Sequence, residues 1–230
     1  GATGGGTVLV GGDYQGANDA VQNAARTYVS PDASLRADAT AHGDGGRAIV
    51  WADEATRFYG TVSARGGAAG GDGGLIEVSG KQYLDFSGSA DTRAPRGATG
   101  LLLLDPSNIN ITTTADALAG GAFAGGQFGG ATGTATITWA TIDTQLATNN
   151  VVVTTSGAGG AGDITIVNAS PVLNRANNLW LVANNAITVN GAITNAGAGD
   201  LRLYAGWNGA AFTYPTVPVL GASGTANITV

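Results

Sequence analysis

Gly43-Asp-Gly-Gly-Arg-Ala-Ile-Val-Trp-Ala-Asp53 has a second copy further on, Gly71-Asp-Gly-Gly-Leu-Ile-Glu-Val-Ser-Gly-Lys81. Superposing the two stretches sets Val50 on Val78, and beyond them Phe58 on Phe86, Gly60 on Gly88 and Arg65 on Arg93. A period between about twenty and fifty residues marks one supersecondary unit stacked on copies of itself. Val50, Phe58, Val78 and Phe86 are therefore expected to line a repeated core.

The unit is a strand followed by a corner. Short runs rich in β-branched residues, such as Thr7 to Val10, Leu75 to Ser79, Leu101 to Leu104 and Val151 to Thr155, alternate with corners of Gly, Asn and Asp. In the second half Ile109, Ile137, Ile164, Ile187 and Ile228 recur at steps of 28, 27, 23 and 41, the last read as two turns. Leu179 to Ala183 and Leu201 to Ala205 repeat at 22. One turn of a parallel β-helix uses about that many residues, so the expectation is an all-β parallel β-helix of roughly nine turns, about 45 Å long. An antiparallel sandwich also has many short strands, but its hairpins favour tight two-residue turns that are scarce here. Asn18 to Arg26 and Thr141 to Thr148, the latter with Ile142 and Leu146 four apart, are expected to interrupt the pattern as loops or short helices.

Composition limits the function classes. Hydrophobic residues make up 43% of the 230, enough to fill a core despite 39 glycines. No interdomain linker is apparent, so residues 1–230 read as one array, with a Gly-rich half over 1–111 and an Asn/Thr-rich half over 112–230. The net charge is -6, and the chain lacks the basic patch that nucleic acid requires. No apolar run reaches the length of a membrane span. With no Cys, disulfides, thiolate metal sites and Cys nucleophiles are all excluded. A start at Gly1 with no Met anywhere leads to the expectation of a segment from a longer chain.

Val10-Gly-Gly-Asp-Tyr-Gln-Gly16, the block Gly43 to Asp53, Phe58 to Gly67, Gly73 to Lys81 and Leu101-Leu-Leu-Leu-Asp-Pro106 together resemble the repeats of large filamentous haemagglutinin-like adhesins. The resemblance covers most of Gly6 to Ile111 and extends loosely through Ile164 to Trp207. It implies a right-handed parallel β-helix, two-partner secretion through an outer-membrane partner, and a place on the bacterial surface or in the extracellular matrix. It names no receptor, glycan or otherwise.

Candidate sites are few. Phe212 to Leu220, with Tyr214, Pro215 and Pro218, departs from the strand-and-corner pattern and is the candidate contact loop; its plainer reading is a corner crossing. Asp44 and Asp72 occupy equivalent corners, but calcium needs six or more oxygen ligands and the known calcium repeat has nine-residue spacing. They read as corner residues bonding their own backbone. Parallel β-helices also host polysaccharide lyases and hydrolases, which makes Asp53, Glu54, Asp72, Glu77 and Asp91, beside Arg65 and Arg93, candidates for paired catalytic carboxylates. Stacking predicts that Arg65 and Arg93 adjoin and need counter-ions such as Asp91, which occupies the acids without catalysis. His42 has no evident partner. Trp51, Trp139, Trp180 and Trp207 read as core rather than as an exposed sugar-binding row. The expectation is a non-enzymatic shaft with no cofactor and no metal, and with open strand edges suited to end-to-end self-association.

Overall fold

A computed structural model describes residues 1–114, 133–157, 160–210, 213–221 and 227–229. Among them all fifteen strand pairings are parallel. A seven-stranded sheet runs the length of the protein, in the order Thr7–Val10, Arg47–Val50, Leu75–Val78, Leu101–Leu104, Asn150–Thr155, Leu179–Ala183 and Leu201–Ala205. Between visits to this long sheet, the first half adds strands to two three-stranded sheets. One holds Arg26–Val29, Ala55–Phe58 and Tyr83–Phe86; the other holds Ser34–Arg36, Thr61–Ser63 and Ser89–Asp91. The second half instead uses a five-stranded and a two-stranded sheet.

Register follows from side-chain parity. Val10, Val50, Val78, Leu104, Val153, Leu181 and Leu203 stand opposite one another in one unbroken row. All seven belong to or pack on a single core cluster that crosses the boundary between the two halves. A slip of one residue would turn every member outward, so burial fixes the register. Phe58 faces Phe86 in the adjacent sheet, at the same offset as Val50 and Val78.

The corners explain the Gly-Asp-Gly-Gly tetrads. The Asp44 Oδ1 accepts the N–H of Asp72 at 2.8 Å, and the Asp72 Oδ1 accepts the N–H of Ala98 at 2.8 Å. These carboxylates thus bond the next layer rather than their own turn. The neighbouring glycines allow the layers to touch: a Cβ on Gly74 would stand 2.0 Å from the carbonyl oxygen of Gly46. In the second half Asn takes the same role, with the Asn150 Oδ1 accepting from Asn178 N–H at 3.0 Å and the Asn178 Oδ1 from Asp200 N–H at 2.7 Å.

Three expectations about the path are corrected. Among the described residues the long sheet has seven strands, against the roughly nine turns expected, because intervals read as turns are spent on excursions. Leu104 is followed in the sheet by Val153, and Ile187 pairs directly with Ile228, so the step between those two isoleucines is one layer and not two. The step from Ile109 to Ile137 is not a turn either. Ala135–Thr138 pairs with Ile109–Thr112 on the side opposite Ile164–Ile166, so the chain runs back toward the layer of Tyr83–Phe86.

That reversal positions a helix over a sheet edge. Trp139–Leu146 is helical, with the Thr138 Oγ1 accepting the N–H of Thr141 at 3.1 Å, so the cap precedes the expected start at Thr141. Trp139, Ile142 and Leu146 enter the core. Gln145 Oε1 accepts the Ala90 N–H at 2.9 Å, while Thr148 Oγ1 and Asn149 Nδ2 donate to Ala90 O at 2.9 and 3.0 Å. The edge of Ser89–Asp91 is thereby satisfied by side chains where a further strand would lie. Asn18 to Arg26 forms no helix: Asn18 Oδ1 turns back to accept the Ala20 N–H at 3.0 Å, and a strand begins at Arg26.

Candidate functional site

Residues that alternate with the core row point to the other face of the long sheet, and that face is also covered. Leu9, Ile49, Glu77, Leu103, Val152, Trp180 and Arg202 form its central row. The five from Ile49 to Trp180 are at most 2% exposed. Leu103, Val152, Trp180, Val182 and Trp207 make a second apolar cluster, separate from the main core.

The cover at one end is the segment Gly11 to Gly16. Gly12 and Gly16 lie on the Trp51 ring so closely that a Cβ on either would approach ring atoms to 2.6 and 2.5 Å. Asp13 accepts the Tyr14 N–H at 2.7 Å and the Asn18 Nδ2–H at 2.7 Å, and is ion-paired with Arg47. The Arg47 guanidinium lies 5.9 Å from the centre of the Tyr14 ring. Gln15 is the one non-glycine residue with positive φ among the described residues, at 53°. Its N–H donates to both oxygens of Glu77, at 3.2 and 3.1 Å, tying the segment to the sheet.

Beneath this cover lie two carboxyl groups. Glu77 is fully buried, and burial together with the nearby charge of Asp105 pushes its pKa up to about 8. Burial alone raises Asp105 to about 7. The Ser79 and Thr154 hydroxyls sit close enough to oppose these shifts, yet neither completes hydrogen-bond geometry, and the Asp105 Oδ1 is unpartnered. Burial penalises the ionised form of both carboxyls, and at Glu77 the N–H of Gln15 and the charge of Arg47 do not offset it, so its neutral form is favoured.

The other end is covered by Trp207 to Ala210 and Thr213 to Leu220. Trp207 and Leu220 form an antiparallel bridge, and Tyr214 packs on Trp180 with ring centres 4.9 Å apart. Asn178 Nδ2 donates to the Tyr214 hydroxyl at 2.6 Å. The candidate contact loop thus folds back on the sheet. Pro215 is exposed, Pro218 is buried, and Phe212 lies outside the described residues. Between the two covers a groove of about 840 Å³ remains, walled by Tyr14 and Tyr214.

No protein-family model matches the chain, and no curated protein does.

The carboxylates that are candidates for catalysis are not brought together. Asp53 accepts from Trp51 Nε1 and Asn23 Nδ2, at 3.1 and 3.2 Å, and Glu54 pairs with Arg26 at 2.8 Å. Asp72 is the corner acceptor described above, and Glu77 is sealed under Gln15. Arg65 and Arg93 line one groove of about 780 Å³ with Arg36. Arg93 is held by Asp91 at 2.7 Å, and Arg65 by Asp38 at 3.1 Å, a partner that the repeat alignment misses because it precedes the first tetrad. Burial would raise both carboxyls, but hydrogen bonds from these arginines hold them below the ordinary range. His42 is held through its backbone, by a bridge to Gly70 and by an N–H donated to the carbonyl oxygen of Ala2 at 2.8 Å. No group of three or more His, Asp or Glu suited to a metal occurs among the described residues.

All four tryptophans are buried, at 3% exposure or less. Trp139 and Trp207 donate their ring N–H to the carbonyl oxygens of Asn168 and Ala210, each at 3.0 Å. Sequence reasoning singled out neither Tyr14, which walls the groove, nor Asp105, one of the two buried carboxyls. Their signals were the Gly-Gly-Asp-Tyr-Gln-Gly run and an Asp directly following four leucines.

Proposed function

We propose that the chain is part of a right-handed parallel β-helix of the filamentous haemagglutinin-like exoprotein kind. It acts without catalysis, as a stiff adhesive or matrix shaft at the bacterial surface, exported through an outer-membrane partner. The observation that carries this reading is the seven-residue row from Val10 to Leu203. One side-chain column spans every layer of the long sheet, as a shaft resisting bending along its axis requires. No helix among the described residues is long and apolar enough to cross a membrane. The two carboxyls with raised pKa, Glu77 and Asp105, are sealed from any polymer substrate, which argues against a polysaccharide-cleaving site. The test is antibody labelling of the source bacteria. Labelling of intact cells or their matrix is expected; labelling only after lysis would overturn the reading.

A second reading has support from the sheet edges. Thr7–Val10 and Leu201–Ala205 are the outer strands of the long sheet among the described residues, and an outer strand is the kind that pairs with another strand. End-to-end joining of copies would produce a fibre. Sedimentation over a range of concentrations separates the two readings, because fibres grow with concentration and a simple shaft does not.

A further inference from the structure

We propose that the groove between Tyr14 and Tyr214 binds a neutral oligosaccharide. This deepens the adhesive reading and rests on it. Most of the central row on the outer face of the long sheet is sealed, but Leu75 and Leu101, neighbours in register, remain half-exposed on the groove floor. Gly73, Gly74 and Gly100 extend that floor without side chains, leaving a smooth surface between two phenol rings.

Both rings are held in place before any ligand arrives. Tyr14 is fixed by the Arg47 guanidinium above it and by Asp13 at its backbone; Tyr214 is fixed by Trp180 and Asn178. Such preorganisation removes an ordering cost from binding. The flat rings offer apolar faces to the C–H side of a sugar, with polar tips for its hydroxyls.

The polar groups at the rim are half used. Tyr214 accepts a hydrogen bond through its oxygen and keeps its own proton to donate. Among the described residues, Asn177 commits Nδ2 to Leu146 O at 2.8 Å and leaves Oδ1, and Asp72 commits Oδ1 to Ala98 N–H and leaves Oδ2. Paired donors and acceptors of this kind suit vicinal hydroxyls. Charge sets the class of sugar: Arg47 is neutralised by Asp13, so the Asp72 carboxylate remains as the net charge of the lining and disfavours anionic glycans. A cavity of about 840 Å³ falls within the range of small-ligand sites and holds a short oligosaccharide.

The test is amide chemical-shift mapping of the ¹⁵N-labelled protein with cellotetraose, chitotetraose, maltotetraose and mannotetraose, and with a heparin-derived tetrasaccharide as the anionic arm. At least one neutral sugar should shift the amides of Gly74, Thr99 and Gly100 saturably, with a Kd of about 1 mM or tighter. Ala98→Trp, at an exposed position on the groove rim, should weaken that binding about tenfold or more without lowering the melting temperature. Tyr14→Ala should weaken it as well. The proposal is overturned if no neutral sugar shifts these amides, if only the heparin fragment does, or if the shifts map to Arg65 and Arg93. It is also overturned if protein concentration alone moves them, which would assign the groove to a second copy. Failure of the shaft reading is distinguishable, since surface labelling of cells involves no sugar titration.

Discussion

The rings of Phe58 and Phe86 lie parallel, 6° apart in plane and 5.5 Å between centres, although a full repeat of the chain separates them. Each is at most 4% exposed within the main core. Phe86→Ala should destabilise the protein by about 3–5 kcal/mol, the usual cost of removing a buried aromatic ring. Phe86→Asp should cost more, since it places an unpaired charge between apolar layers. Thermal or denaturant unfolding of both variants checks the order; an unchanged curve for Phe86→Asp would contradict the stacked core.

Layer contact at the glycine corners predicts a sharp positional contrast. Gly74→Ala places a methyl group 2.0 Å from Gly46 O and must spread two layers, whereas a Cβ on Gly6 meets nothing within 4 Å. Gly74→Ala should lower the melting temperature by several degrees, and Gly6→Ala should leave it nearly unchanged. Equal effects in the two variants would count against backbone contact as the reason for glycine here.

Removal of an inter-layer acceptor should have a moderate cost. In Asp72→Ala the Ala98 N–H loses its 2.8 Å partner, and about 1 kcal/mol of stability should go with it. Asp72→Asn keeps a side-chain oxygen and should recover most of the loss. If the Asn variant is as unstable as the Ala variant, the carboxylate has a role beyond accepting that bond.

The carboxyl pair makes stability depend on pH with a definite sign. Glu77 is raised from an ordinary value of 4.5 to about 8 in the folded protein, and Asp105 from 3.8 to about 7. Between the lower and upper values the unfolded chain has released protons that the folded protein still holds, so stability falls as pH rises through that window. Asp38, Asp91 and Asp143 have lowered values and act oppositely, weakening the fold as pH falls below the ordinary Asp range. Melting temperature should therefore peak near pH 4–5 and decline toward pH 8. Glu77→Gln, which mimics the neutral acid, should flatten the decline and stabilise the protein at pH 8. A steeper decline in that variant would refute the assignment.

Much of the fold was legible as sequence because strand parity and corner chemistry are local. Val, Ile and Leu at alternate positions, closed by Gly and Asp, define a strand wherever they occur, and a constant offset between copies gives the register of Val50 with Val78. Strands such as Ser34–Arg36 and Ser89–Asp91 escaped notice because their residues are few and mostly polar; pairing with the neighbouring layer, not propensity, makes them strands. The candidate site was less legible. Tyr14 and Tyr214 stand near opposite ends of the chain, and only the outer face of one sheet brings them to the same groove.

The sequence by itself determined the repeat step from Gly43 to Gly71, the glycine corners and the inward row of aliphatic residues, since each depends on residues close together in the chain or at a fixed period. Tertiary structure alone decided that Ala135–Thr138 runs back to an earlier layer, that a helix closes the edge beside Ala90, and that Glu77 is buried. Alternation predicts that Glu77 points away from the core, which ordinarily means into water. It lies dry because Gln15, from a distant part of the chain, is laid across it, and no local rule of chain chemistry specifies what covers an outward face.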